Sequence, residues 1–88
     1  MAERSVQIVN KQGIHARPAA EMVKTASRFG SDITISRDDL EVNGKSIMGV
    51  MMLAAEFGAT ITIRAEGADA DAALDALATL VANGFGES

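Results

Sequence analysis

One stretch decides where the first helix begins: Gly13-Ile14-His15-Ala16-Arg17-Pro18, which holds the only histidine and the only proline in the chain. Proline is tolerated in the first helical turn, where its missing N–H has no intrahelical partner anyway. Good helix formers follow it, so we predict a helix from near Ala16 to about Phe29, where Gly30 stops it. His15 then precedes a ring of unpaired backbone N–H groups, which together with Arg17 could bind an anion.

The rest of the chain alternates between strand and helix patterns. Apolar residues at every second position predict four strands, which centre on Val6–Ile8, Ile33–Ile35, Leu40–Val42 and Ile61–Ile63. Two further helices are expected, from Ile47 to about Ala55 and from Asp69 and Asp71 to Asn83-Gly84. Because every strand alternates, the sheet should be antiparallel with one face in water. The order β-α-β-β-α-β-α without a linker predicts one domain over residues 1–88, a two-layer α+β sandwich.

Composition excludes several function classes. The net charge of -4 argues against a nucleic-acid partner, since no stripe of lysine or arginine offsets the acids. The lack of cysteine removes disulfides and thiolate catalysis, and it favours a reducing compartment. With one histidine and no cysteine we expect no metal and no cofactor. No apolar run approaches membrane-spanning length, so we expect a cytoplasmic protein without a membrane partner.

The short second helix is apolar on both sides. At about 100° per residue, one side carries Ile47, Met48, Met51 and Met52, and the other carries Val50, Leu53 and Ala54. A two-layer domain buries only one of these sides, so we expect the methionine side to form an exposed patch. Methionine is flexible and polarisable, which suits a surface that meets several partners. The alternative is that these methionines fill gaps in the core.

The lone histidine suits phosphoryl chemistry. A neutral imidazole can attack a phosphoryl group, and the phosphoimidazole formed can pass that group on. A helix N-terminus disfavours imidazolium and favours a bound dianion, while Arg17 adds charge-assisted hydrogen bonds. No Cys/His pair and no nucleophile-elbow motif supports another reaction. A phosphoryl acceptor needs only one histidine and a helix end; the alternative is a loop histidine without a role.

Two motifs resemble a known family. The run from Gly13 to Ala19 is similar to the active-site signature of the HPr family, the histidine-containing phosphocarrier proteins of the phosphoenolpyruvate-dependent phosphotransferase system. The run Lys45-Ser46-Ile47-Met48-Gly49-Val50-Met51 resembles the regulatory serine motif of that family. The resemblance covers the chain from the first strand to the last helix. It implies a four-stranded antiparallel sheet in strand order 1-4-2-3, covered on one face by three helices.

The resemblance also implies roles for individual residues, those of a phosphoryl carrier rather than a stand-alone enzyme. Phosphorylated enzyme I would pass its phosphoryl group to Nδ1 of His15, and an enzyme IIA domain or a related regulatory acceptor would receive it. Arg17 would assist, and the backbone N–H groups of Ala16 and Arg17 would hold the phosphate. The docking patch for both partners would consist of Ile47, Met48 and Met51. We expect a monomer.

Some alternatives stay open at this point. Ser46 is either only an N-cap or, by the resemblance, also the target of an ATP-dependent HPr kinase/phosphorylase. A small-ligand regulatory module of the ACT type has a related β-α-β-β-α-β order, but it lacks the last helix and both motifs. Another alternative is a purely regulatory carrier of the nitrogen branch. We assign no role to Gln12 or to the tail Phe85-Gly86-Glu87-Ser88.

Overall fold

The structure is a computed structural model that describes residues 2–87. Its elements follow the predicted order and have these bounds: β1 (Ala2–Gln7), α1 (Ala16–Ala26), β2 (Asp32–Arg37), β3 (Leu40–Asn43), α2 (Ile47–Met52), β4 (Thr60–Glu66) and α3 (Ala70–Ala82). A short 3-10 turn, Gly84–Gly86, follows α3. Met1 and the last residue of the tail, Ser88, lie outside the described residues.

The four strands form one antiparallel sheet in the order β1-β4-β2-β3, which confirms the order that the family resemblance implied. β4 is central, with Ile61 opposite Val6 of β1 and Ile63 opposite Ile35 of β2. Successive side chains of a strand point to opposite faces. Ile61 and Ile63 are accordingly fully buried, whereas Thr62 between them is only half-buried. The sheet therefore has the predicted apolar face and a more polar opposite face.

The three helices cover the apolar face and share one core with it. Met22 of α1, Val50 of α2 and Leu77 of α3 are all fully buried in the same cluster as the sheet isoleucines. Full burial of such a side chain contributes about 1.5–3 kcal/mol relative to exposure. The packing of these apolar faces, rather than helix propensity, holds the short α2 in place.

Helices α1 and α2 both end earlier than the sequence predicted. α1 stops at Ala26 rather than near Phe29, because the N–H groups of Arg28 and Phe29 bond to carbonyls three residues back. Such tight bonds mark a final 3-10 turn. α2 stops at Met52 rather than near Ala55, since Ala54 has a left-handed φ of 48°. Ala54 is consequently exposed instead of buried beside Val50 and Leu53.

Asp69 precedes α3 as predicted, but its carboxylate does not cap that helix. The carboxylate accepts hydrogen bonds from the N–H groups of Gly30 and Ser31, both at 2.9 Å, and from the Ser31 hydroxyl. These bonds attach the loop after α1 to the start of α3. They lower the pKa of Asp69, and the Ser31 hydroxyl is the largest cause, followed by the Gly30 N–H.

Candidate functional site

His15 occupies the N-cap position of α1 with an extended backbone (φ -100°, ψ -169°). Its carbonyl accepts a hydrogen bond from the N–H of Ala19 at 3.0 Å, and its side chain makes no cap bond. The N–H groups of Ala16 and Arg17 belong to the first turn, where no intrahelical acceptor exists. The half-buried imidazole thus lies at the open end of the helix, where the sequence indicated it would be. Its chemical role stays a prediction.

Gly13 shapes the turn that delivers His15 to this position. Its φ is +68°, and a Cβ placed there would lie 2.5 Å from the carbonyl oxygen of Ala55. The same oxygen accepts a hydrogen bond from the N–H of Ile14 at 2.8 Å. A side chain at Gly13 would therefore be strained and would also displace the backbone that follows α2. The loop before His15 and the segment after α2 are held together at this point.

Glu87, for which the sequence indicated no role, contacts the imidazole directly. Its Oε2 lies 2.9 Å and its Oε1 3.2 Å from Nε2 of His15. The Glu87 side chain is 13% exposed, against 38% for His15. Within residues 2–87, this carboxylate is the ring's only hydrogen-bond partner, and no partner contacts Nδ1. The site is therefore an imidazole held at one nitrogen and open at the other.

The tail reaches His15 through three successive left-handed residues. Gly84, Phe85 and Gly86 have φ values of 62°, 57° and 75°, which reverse the chain after α3. Phe85 is 4% exposed and belongs to the core, so it anchors the turn. The N–H of Glu87 donates to the carbonyl of Gly84 at 2.9 Å. In the sequence, an aromatic residue between two glycines, Gly84-Phe85-Gly86, is the one signal that could have indicated an ordered tail.

Asn10 connects the tail to the loop before His15. Its Nδ2 donates to Oε1 of Glu87 at 3.0 Å and to the carbonyl of Gly13 at 2.7 Å. Both partners are acceptors, so the amide orientation is determined by them. Asn10 is 1% exposed, and its Oδ1 has no hydrogen-bond partner among the described residues. The buried amide thus positions both the turn and the carboxylate, at the cost of one oxygen without a partner.

Arg17 completes the charged part of the site. Its Nη1 lies 3.6 Å from Oε2 of Glu87, and the side chain is 65% exposed. An open depression of about 440 Å³ is lined by Gln12, His15, Arg17, Gly86 and Glu87. The structure thus brings together His15 and Arg17, which the sequence predicted, with Gln12 and Glu87, which it did not. A small anion would meet the Arg17 guanidinium and the helix N–H groups there.

Ser46 caps α2 as the sequence predicted. Its Oγ accepts a hydrogen bond from the N–H of Gly49 at 3.1 Å. The next turn exposes an apolar surface, the α2 patch, which we define as Ile47, Met48 and Met51, exposed by 45%, 76% and 42%. Met52 is exposed as well. The methionines of α2 therefore do not fill the core, which was the alternative.

Among residues 2–87, no group of three or more His, Asp or Glu side chains is arranged to hold a metal ion. Within the same range, no helix has the length and apolar character needed to cross a bilayer.

The fold and the site define a class: an open-faced α+β sandwich with a single histidine at a helix N-terminus. Residues 2–83 match the family model described as "PTS HPr component phosphorylation site". The phosphocarrier protein HPr of Cupriavidus necator is 48% identical over 87 residues, which cover 99% of this chain and 98% of that protein. HPr-C-His from Thermoanaerobacter tengcongensis has a TM-score of 0.96 at 46% identity, covering 100% of this chain and 99% of that one. A phosphocarrier protein HPr from Bacillus anthracis has a TM-score of 0.87 at 51% identity, covering 91% and 95%.

The chain belongs to the HPr family and is a phosphocarrier protein of the phosphotransferase system. The family resemblance and the α+β architecture are thereby confirmed. The assignment favours the carrier over the ACT-type module, whose element order lacks the terminal helix that α3 provides here. The family match ends at residue 83, so Glu87 lies beyond the segment that the match covers.

Proposed function

We propose that His15 accepts a phosphoryl group at Nδ1 from phosphorylated enzyme I and passes it to a histidine of an enzyme IIA domain or a related regulatory acceptor. The observation that carries this proposal is the position of the imidazole, at the open end of the 11-residue helix α1 with a hydrogen bond at Nε2 alone. That arrangement supports attack by Nδ1, whose lone pair faces no partner among residues 2–87.

The same end of α1 supplies the groups that would stabilise the transferred phosphoryl. The N–H groups of Ala16 and Arg17 would donate to its oxygens, and the positive end of the helix dipole would favour its charge. Arg17 is mostly exposed, so its guanidinium can turn from Glu87 towards the new dianion. Phosphoryl transfer depends mainly on positioning and charge stabilisation, which these groups provide.

Partner docking is assigned to the α2 patch. Its exposed apolar side chains come from α2, which packs against the helix that carries His15. An apolar patch of this kind suits a carrier that must bind a donor and an acceptor in turn. We therefore infer that enzyme I and the acceptor bind the same face of the protein. We further infer that the protein acts as a monomeric single domain in the cytoplasm.

Regulation is assigned to Ser46. Phosphorylation of its hydroxyl by an HPr kinase/phosphorylase would add about two negative charges beside the α2 patch. The charge would be tolerated at the start of α2 but would oppose an acidic partner surface. Sugar uptake and regulation in the nitrogen branch differ in the acceptor, so transfer to IIA domains of both kinds distinguishes them.

The test is incubation with radiolabelled phosphoenolpyruvate and enzyme I. Because His15 is the only histidine, we expect acid-labile, alkali-stable label on the wild type and none on His15→Ala. Unlabelled wild type, or equal label on the variant, would reject the carrier assignment of His15. Lys11→Ala, an exposed change in the loop before the site, is the matched control and should label normally.

A further inference from the structure

We propose that Glu87 is a positioning residue that keeps a proton on Nε2 of His15 throughout the transfer cycle. The inference rests on the phosphocarrier role of His15 proposed above. The two oxygens of the carboxylate lie 2.9 Å and 3.2 Å from Nε2. A carboxylate can only accept hydrogen bonds, so Nε2 must carry the proton. The neutral ring then has its lone pair on Nδ1, the nitrogen that would attack.

Contacts with the rest of the fold hold the Glu87 carboxylate in place. Asn10 donates to its Oε1 at 3.0 Å, and the same amide group is tied to the Gly13 carbonyl. Phe85, buried two residues earlier, fixes the turn that carries it. A carboxylate held this way loses little conformational freedom when it bonds to the imidazole. Its orientation is therefore suited to select one tautomer of His15.

The hydrogen bond to Glu87 also keeps the Nε2 proton on the ring while the phosphoryl group is loaded and unloaded. During loading, the Nδ1 lone pair forms the N–P bond while the donor's bond to phosphorus breaks and its electron pair stays with the donor. The His15 ring then carries the phosphoryl on Nδ1, a proton on Nε2 and a positive charge, which Glu87 offsets. During unloading, the N–P electron pair returns to Nδ1 and a neutral ring leaves with Nε2 still protonated. No proton enters or leaves in either step.

Loss of that proton would obstruct unloading. A phosphorylated ring without the Nε2 proton would have to leave as an imidazolate anion, which is a poor leaving group. Two charged side chains of the described chain line this depression, Glu87 from the tail and Arg17 from α1. Arg17 opposes a positive ring, whereas Glu87 favours it. Glu87 is in direct contact with Nε2, at 2.9 Å, so its negative charge stabilises the protonated form of the phosphorylated ring.

The matched pair of variants is Glu87→Gln and Glu66→Gln. Each removes one negative charge, but Glu66 lies exposed at the end of β4. The first measurement is nitrogen NMR of the unphosphorylated imidazole, which distinguishes the two tautomers. An amide can donate as well as accept, so Glu87→Gln should lower the fraction protonated at Nε2. Glu66→Gln should match the wild type.

The second measurement is the pH profile of phosphoryl loss to water from protein phosphorylated with phosphoramidate, followed by phosphorus NMR. Removal of a nearby opposite charge should move the alkaline limb down by about one pH unit, a change of about tenfold in rate on that limb. Glu66→Gln should leave the limb in place. An unchanged tautomer fraction and pH limb in Glu87→Gln, or an equal shift in Glu66→Gln, would overturn the proposal. Neither measurement uses enzyme I, so failure of enzyme I to load His15 would reject the proposed function separately.

Discussion

Glu87 lies 72 residues after His15 in the chain, yet its carboxylate oxygen is 2.9 Å from Nε2 of that histidine. The two residues come from opposite ends of the described chain, and the buried Asn10 bonds to both the carboxylate and the turn before the histidine. The geometry of the site therefore depends on how the tail packs. A change in the packing of the tail should therefore alter the hydrogen bonding of His15 even when α1 itself is unchanged.

Phe85→Ala tests whether Phe85 anchors the tail. The side chain is 4% exposed and belongs to the core, so its removal should lower the free energy of unfolding by about 3–5 kcal/mol. Phe57→Ala removes a side chain that is 60% exposed and should change it by less than about 0.5 kcal/mol. Urea denaturation measures both. Equal small losses would show that Phe85 does not anchor the tail.

Met48→Asp tests the docking role of the α2 patch. Met48 is 76% exposed, so the charge should leave the unfolding free energy nearly unchanged. It should weaken enzyme I binding about tenfold or more, because an unpaired charge would enter an apolar contact. Titration calorimetry gives the binding constant. Ala72→Asp adds the same charge to an exposed position of α3 and should bind normally; equal affinities for both variants would reject the docking role.

Two substitutions of Ser46 distinguish its capping role from its proposed regulatory role. Ser46→Ala loses the bond from the Gly49 N–H and should cost about 1 kcal/mol of stability, with little effect on phosphorylation of His15. Ser46→Asp keeps a good N-cap side chain but adds charge beside the α2 patch, so it should remain stable and slow phosphorylation by enzyme I. Denaturation and label-incorporation rates provide the readouts. A normal rate for Ser46→Asp would argue against regulation at this position.

Asp69 should make stability depend on pH in the acid range. Its pKa is lowered in the folded state by the Ser31 hydroxyl first and the Gly30 N–H next. A depressed pKa contributes stability above the ordinary value of 3.8, and this contribution is lost as the pH falls through the lower folded value. Asp69→Asn should therefore be less stable than the wild type near neutral pH. The difference in unfolding free energy between the two proteins should become smaller below pH 3.8.

Thermal denaturation across this range measures the Asp69 effect. Asp75→Asn is the control, because Asp75 is 70% exposed and forms only a surface pair with Arg4. It should change stability little at any pH. A gap for Asp69→Asn that stays constant down to the acid limit would contradict the assigned cause of the pKa shift.

Local sequence patterns were enough to predict where the helices begin. Pro18 and the helix formers after it indicated where α1 begins, and Ser46 indicated the start of α2. The same patterns misplaced the ends of both helices, where the Ala54 carbonyl accepts a hydrogen bond from Arg37 and the Phe29 carbonyl accepts one from Lys45. These contacts with other elements do not appear in a local pattern. Helix ends are the least determined part of a local pattern.

The sequence by itself determined the strand and helix order, the family, and the place of His15 before a helix, since each depends on periodicity or on residues within one turn of each other. Only the tertiary structure decided what the imidazole contacts. Glu87 meets His15 because Phe85 packs into a core formed by distant elements and the left-handed turn around it points the tail back. No pattern of neighbouring residues encodes a contact that arises from packing across the whole chain.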